Sequence, residues 1–374
     1  MKIAHLTSVH HARDTRILYK ECTSLAEAGH AVYLVAYGDS FEHHGVKVVG
    51  LGEKPRNRFL RIARGAKQVV DKGLALDCQV YHLHDPELLP FIPRLKRAGK
   101  KVIFDSHEDV PQQLQEKEWL PARRLVSQVY GRLEKHYLRK ADAVIGVTPH
   151  LVERLAAINP RTVMVTNYPV LTAVAEIPAN AQAHTEAPYL CFVGRVSDIW
   201  NHDVIVDVIQ NLACVKYVLC GPIDDEDYLA ILSKHDKQHK LLYQGVVSQE
   251  DRQLLYGKAL AGVCWIKPSP NVGGTRGSLG VNKLFEQMAA GIPVICTDFD
   301  IWSEIVDRYN CGICVSSGDR KGFRDTVQFL LENREQAQIM GKNGRRAVEE
   351  VYNWATQSAI LTGLYQGLAE GEIP

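Results

Sequence analysis

Between Pro270 and Cys296 the chain joins a glycine-rich loop, a short helical pattern and an apolar strand without a spare residue. Gly273, Gly274, Gly277 and Gly280 free the backbone to turn and to approach a ligand closely. They lead into a helix expected from Val281, whose unpaired N–H groups favour an anion such as phosphate. Leu284, Phe285 and Met288 recur at helical spacing and should face a core, which leaves Lys283 and Glu286 to meet the ligand. Gly291 and Pro293 stop the helix before the strand Val294 to Cys296. On the loop alone, a plain connection with Glu286 as a solvated helix residue stays open.

Histidines and carboxylates punctuate the strand ends of the first half. His84 and Asp85 follow an apolar run from Val80, and His107 follows another from Val102. A histidine just beyond a buried strand of an α/β protein stands where ligands are commonly met. Asp14, with Arg13 and Arg16 beside it, sits at an expected helix start facing the same side; Asp14 as a simple N-cap with its arginines in solvent is the alternative. The turn after the first strand has no glycine, so the Gly-x-Gly-x-x-Gly fingerprint of dehydrogenases is absent. No metal site is expected. Asp224 to Asp227 reads as a solvated acidic helix start, and Cys311-x-x-Cys314 has no second pair nearby.

The stretch Asn282-Lys-Leu-Phe-Glu-Gln-Met-Ala-Ala-Gly-Ile-Pro-Val resembles the signature of the family 4 retaining glycosyltransferases, in which two glutamates eight positions apart precede a Gly-x-Pro-Val strand. The second glutamate corresponds to Glu286, which the resemblance places on the ribose of a nucleotide-sugar donor. The first corresponds to Ser278, so the group that usually holds the donor sugar is replaced. Val193-Gly194-Arg195 is similar to the family's Val-Gly-Arg, whose arginine contacts the donor diphosphate, a task suited to its rigid fork of donors. The companion lysine five residues on is Trp200 here, and Lys283 is the candidate to take its place. Gly221-Pro222 and Gly245-Val246-Val247 resemble further donor-side turns. By the same resemblance His107 touches the donor sugar or the reacting face, Gly277, Gly280 and Asn282 line the donor site, and Asp14, Arg16, His84 and Asp85 lie on the acceptor side.

The elements that must hold these residues alternate strand and helix twice, as parallel sheets covered on both faces require. The expectation is two doubly wound Rossmann-like domains facing a cleft, the GT-B fold: residues 1–170, a linker at 171–188, 189–352, and a last helix at 353–374 that the resemblance returns to the first domain. Composition agrees with globular α/β domains, at 374 residues and 46% hydrophobic content. The nine cysteines are scattered, several within apolar strands, which fits a reducing compartment.

The net charge of +1 hides an asymmetry: 26 Lys and Arg against 18 Asp and Glu through Val170, then 18 against 25. Cations at 54, 56, 58, 61, 64 and 67, interleaved with Phe59, Leu60 and Ile62, suit an anionic membrane surface, or equally a helix with a charged outer face. Nucleic acid is not expected, since no binding module accompanies the charge. With no membrane-spanning run and a first strand starting at once, the expected location is cytoplasmic and peripheral at the inner face of the membrane.

The function expected is transfer of a sugar from a nucleoside-diphosphate donor to a lipid-linked or saccharide acceptor with retention of configuration, without a metal cofactor. The alternatives are a nucleotide-sugar 2-epimerase and a non-catalytic sugar-nucleotide-binding subunit.

Overall fold

The computed structural model describes residues 1–54, 64–117, 119–171, 187–223, 225–269 and 272–371. Most of the basic stretch (55–63) and of the expected linker (172–186) lies outside them. The chain divides into two compact units, Met1–Asn167 with Trp354–Pro374, and Tyr168–Asn353.

The first unit holds an eight-stranded sheet of order β3-β4-β2-β1-β5-β6-β7-β8. Its strands are β1 (Lys2–His11), β2 (Ala31–Tyr37), β3 (Phe41–His43), β4 (Val46–Gly50), β5 (Val80–Leu83), β6 (Lys101–Ser106), β7 (Ala143–Gly146) and β8 (Thr162–Met164). All pairings are parallel except β3 with β4. The inner strands β5 and β7 are buried along their whole length, so they read as apolar runs rather than as alternation. Chain order reverses between β1 and β5, the switch point where an open sheet leaves a crevice beyond its strand ends.

Two local features depart from a regular reading of this half. β1 runs on to His11, past the expected turn, so His10 and His11 extend a strand. The helix after it begins as a wide π turn, Ile17–Cys22, in which the Glu21 N–H reaches the Arg16 carbonyl at 2.9 Å, before an α segment, Thr23–Glu27. Such turns recur at functional positions because they re-aim one side chain.

The last helix, Trp354–Glu370, is part of this unit. Trp354 Nε1 donates to Ser24 Oγ (2.8 Å), the Gln357 side-chain oxygen accepts from the Thr166 amide (2.8 Å), and Tyr365 Oη lies 2.8 Å from His82 Nδ1. The short helix Val110–Glu116 starts where the Asp109 carboxylate caps the Gln112 amide at 3.2 Å and Pro111 occupies the first turn, which has no need of its amide.

The second unit holds six parallel strands in the order β11-β10-β9-β12-β13-β14. These are β9 (Tyr189–Val193), β10 (Lys216–Cys220), β11 (Leu241–Gly245), β12 (Ala261–Cys264), β13 (Val294–Thr297) and β14 (Gly312–Val315). Renumbered within the unit this is 3-2-1-4-5-6, the Rossmann order, with its switch point between β9 and β12. The helix Asp300–Tyr309 shows how a cover is made: Trp302, Ile305 and Val306 recur at helical spacing and are buried, and Asn310 ends it in the left-handed region at φ 47°. No helix among the described residues is long and apolar enough to cross a membrane.

Candidate functional site

In the first unit, β1, β5 and β6 deliver a cluster of histidines and carboxylates to one sheet edge. A cavity of about 510 Å3 there is lined by His10, His84, Asp85, Asp105, His107 and Tyr130, among others. His107 Nε2 sits 3.0 Å from Asp105 Oδ2 and 3.3 Å from His84 Nδ1. The His10 ring lies 4.9 Å from that of His107, with His10 Nδ1 3.2 Å from Asp14 Oδ2. Burial drives the His10 imidazole down, but its hydrogen bond to Asp14 and the charges of Asp85, Asp14 and Asp105 carry it above its ordinary value. The site therefore presents a readily protonated His10 next to a His107 oriented by a carboxylate, a pair suited to hydrogen-bonding hydroxyls and moving a proton.

Three of the four residues assigned to the acceptor side turn inward. Arg16 is buried, its Nε donating to Asp105 Oδ2 at 3.0 Å and Nη2 to Asp105 Oδ1 at 3.1 Å, with Glu21 Oε1 2.8 Å from Nε. Its charge is held by two carboxylates, and it does not stand in solvent as the simple N-cap alternative had it. Asp85 accepts from the Thr7 hydroxyl at 2.9 Å and the Ser8 amide at 2.5 Å, which pins the end of β1. His84 is buried too, and forms the cavity floor that supports His107. Burial first, only partly offset by Asp105, pushes its imidazole down to about 4. Asp14 alone stays half-exposed; its Oδ1 takes the amides of Arg16 (2.9 Å) and Ile17 (3.0 Å), as a cap does.

In the second unit the corresponding sheet edge is built of backbone. Gly194, Gly221 and Gly245 follow or end adjacent strands and are stitched in a row, with the Gly194 amide on the Cys220 carbonyl (2.9 Å) and the Gly221 amide on the Gly245 carbonyl (2.6 Å). Gly221, at φ 130°, has no room for a side chain: a Cβ there would come 1.9 Å from the Gly194 carbonyl oxygen. At Gly194 the space a Cβ would take is filled by the end of the Lys283 side chain, whose Cε would lie 2.0 Å away. The Lys283 ammonium thus lies against the first turn and 4.7 Å from the centre of the Trp200 ring, 5.5 Å from that of Phe192. Trp200, where the family's lysine is missing, is the platform on which Lys283 rests.

Burial lowers the proton affinity of Lys283, and the nearby Arg195 lowers it further, while Cys264 and Glu286 act in the opposite sense. Two cations brought together at the start of an uncapped helix, Asn282–Ala289, are the electrostatics of an anion site. The Asn282 Oδ1 atom is buried with no hydrogen-bond partner in the protein. Glu286, at the helix surface, faces Arg252 at 3.5 Å.

The loop before this helix differs from the cradle expected of it. The Gly274 amide donates to Ser269 (2.9 Å) and the Gly280 amide to Ser278 Oγ (3.0 Å), so both are committed within the loop. Ser278 is buried, its carbonyl taking Trp302 Nε1 at 2.9 Å, and Gly277 packs on Phe299, where a Cβ would approach to 2.8 Å. The loop is a fixed support, and an anion at this edge would meet the start of the helix and the Lys283 and Arg195 cations, not the Gly274 and Gly280 amides.

Sequence reasoning missed His10 and Asp105, and, having named His84, did not see that it groups with the buried His5, Glu21 and His82. A signal for the grouping was present: His82 and His84 are two apart on a strand and so share a face.

Comparison with known proteins bears on both units. Residues 15–169 match the family model described as Glycosyltransferase Family 4, and residues 174–347 match Glycosyl transferases group 1. A phosphatidyl-myo-inositol mannosyltransferase of Mycobacterium leprae is 31% identical over 101 residues, which are 27% of this chain and 26% of that protein's length. Among solved structures, sucrose-phosphate synthase from Thermosynechococcus elongatus superposes with a TM-score of 0.77 at 18% identity over 100% of both chains. Anabaena HepE, solved with UDP and glucose, gives 0.74 at 13% identity over 98% of this chain and 100% of its own. At those identities the likeness is one of fold. Matched in both halves, the chain belongs to the group 1, family 4 glycosyltransferases and has their GT-B fold of two Rossmann-like domains.

Proposed function

We propose that the chain transfers a glycosyl group from a nucleoside-diphosphate sugar to a hydroxyl of a saccharide or lipid-linked acceptor, with retention of configuration. The observation that carries this reading is the Lys283 ammonium, lodged against the Gly194 turn and over Trp200 at the start of an uncapped helix, with Arg195 close by. Two neighbouring cations at a helix N-terminus match the charge of a diphosphate and would stabilise it as it leaves. Glu286 would take the ribose hydroxyls, with Asn282 offering its unpartnered oxygen to the donor. On the acceptor side, His107 held by Asp105, with His10 beside it, would bind the hydroxyls of the sugars. In a front-face mechanism the departing phosphate accepts the acceptor's proton, so no protein base is needed beyond groups that orient.

The basic stretch from Lys54 to Lys67 is the proposed contact with an anionic leaflet. Of its described cations, Lys54 donates to the Val9 carbonyl and Lys67 to Asp71, both at 2.5 Å, which leaves the remainder to be tested by liposome flotation.

The test of the function is a thermal-shift screen against UDP-, GDP-, dTDP- and ADP-sugars, followed by transfer assays with the stabilising donor. A donor at a hundred times its Kd adds about 2.7 kcal/mol to the folded state. Product with the donor's anomeric configuration is the expected result. Donor conversion to an epimer without an acceptor, or donor binding with neither transfer nor slow hydrolysis across an acceptor panel, would overturn it.

A further inference from the structure

Beneath the floor of the first unit's cavity lies a second, closed polar centre. β1 and β5 pair in register with His5 opposite His82, and the two-residue period of β5 carries His84 to the same face. The π turn aims Glu21 at them from the covering helix. All four side chains are buried, with at most 2% of any residue exposed.

Their inward atoms converge. Glu21 Oε2 lies 3.9 Å from His5 Nδ1, 4.0 Å from His82 Nε2 and 3.9 Å from His84 Nε2, and His5 Nδ1 lies 2.9 Å from His84 Nε2. One ligand atom from each residue falls within 4.8 Å of all the others. A tetrahedral metal with bonds near 2.0–2.1 Å holds its ligands about 3.4 Å apart, so on binding the three Glu21 distances would shorten by roughly half an ångström and the His5–His84 distance would lengthen by as much.

A hydrogen-bonded interior without an ion accounts for this group poorly. Both Glu21 carboxylate oxygens and His82 Nε2 are buried with no hydrogen-bond partner. Arg16 Nε stands 2.8 Å from Glu21 Oε1 but directs its N–H at Asp105. Glu21 Oε1 has the Arg16 charge beside it, but Oε2 and His82 Nε2 face the other imidazoles without a partner, and a cation at their centre would satisfy both.

The outward atoms are arranged to match. His82 Nδ1 is 2.8 Å and His5 Nε2 3.4 Å from the Tyr365 hydroxyl, His84 Nδ1 is 3.5 Å from Asp105 Oδ2, and Glu21 Oε1 faces Arg16. A partner on the far nitrogen of each imidazole, fixing tautomer and ring orientation, is what ligating histidines require.

We propose that His5 Nδ1, His82 Nε2, His84 Nε2 and Glu21 Oε2 form a tetrahedral site for a divalent transition metal of the zinc class. Three imidazoles and one carboxylate suit zinc, and with all four positions filled by protein the ion would be structural, not a Lewis acid for substrate. It would tie β1, β5 and the first helix together, with Tyr365 bringing the last helix into the outer shell, and it would hold His84 under His107. The site goes beyond the glycosyl-transfer reading and is independent of it, since metal content is read without any sugar.

The test uses the full chain, purified without a polyhistidine tag. Elemental analysis after dialysis against metal-free buffer should find close to one equivalent of zinc, or the chain should take one up from zinc chloride after treatment with a chelator. Cobalt(II) in its place should give the intense visible bands of tetrahedral coordination, and thermal stability should fall on metal removal and return on zinc addition. Glu21→Gln and His82→Asn should abolish uptake. Should either variant fail to fold, Tyr365→Phe, which touches only the outer shell, should weaken zinc about tenfold or more. Wild-type chain that takes up no zinc and shows no cobalt bands would overturn the proposal, as would uptake equal in the wild type and all three variants.

Discussion

At the carboxyl edge of the first sheet, β1, β5 and β6 present His10, His84, Asp85, Asp105 and His107, whereas at the same edge of the second sheet β9, β10 and β11 present Gly194, Gly221 and Gly245. One topology, with a switch point in each sheet, is armed in two ways. In the first unit, ionisable side chains are packed until they bond one another: Arg16 to Asp105, Asp105 to His107, His84 to His5. In the second unit the side chains withdraw, the backbone closes up, and the cations Lys283 and Arg195 stand near one another. A rigid arrangement of imidazoles suits uncharged hydroxyls; glycines and two neighbouring cations suit an incoming anion. The two arginines bring out the contrast, since Arg16 is buried against two carboxylates while Arg195 is exposed.

The largest effect should come from Arg16. Replacing it with methionine keeps volume but leaves Asp105 and Glu21 buried without their cation, which costs about 3–5 kcal/mol where one partner of a buried ion pair is removed. Urea denaturation should show that loss. A variant within about 1 kcal/mol of the wild type would mean that the carboxyls are compensated elsewhere, and that Arg16 is not the counter-ion of the cluster.

Arg195→Leu should behave in the opposite way. The residue is exposed, so unfolding should be nearly unchanged while turnover falls by a factor of about 10²–10³, the scale for one lost anion-stabilising donor. The measurement is kcat with the donor that the thermal screen selects, beside the melting temperature of the same preparation. Wild-type kcat would remove Arg195 from the diphosphate and break the comparison between the two edges.

How far these edges could be read in advance follows from where their information lies. Parallel strands such as Val80–Leu83 and Val294–Thr297 are apolar throughout, and that local pattern is legible in the sequence. Sheet order depends on pairings between distant segments, and no local pattern encodes it. Gly194 and Gly221 were legible as turns because positive φ demands glycine, but that Lys283 would lie over Trp200 was visible only as a missing lysine. The inward turn of Arg16 was hidden, because its partners are Asp105, on a strand 89 residues away, and Glu21, which a π turn re-aims. The His5, Glu21, His82 and His84 group joins two strands and that same turn, so only the spacing of His82 and His84 could have hinted at it.

The smallest effect, and the finest probe of the first edge, is the pair His10 and Asp14. Burial raises the Asp14 carboxyl, but the hydrogen bond from His10, the Ile17 amide, and the charges of His10 and His107 outweigh it and hold the group well below its usual range. His10 is raised in return. A depressed carboxylate gives stability that is full above its unfolded value, near 3.9, and lost as pH falls through the folded one. A raised imidazole gives stability that is full below about 6.5 and lost as pH rises through its folded value. The pair should therefore contribute most between about pH 4 and pH 6.5, and, being partly exposed at 26% and 29%, by no more than about 1 kcal/mol. Asp14→Asn keeps the oxygen that caps the Arg16 and Ile17 amides and removes only the charge. Its deficit in urea denaturation should be clear near pH 5 and vanish near pH 9, where His10 is neutral in both proteins. An equal deficit at the two pH values would show that the carboxylate works as a cap alone and that His10 carries no charge toward the cavity.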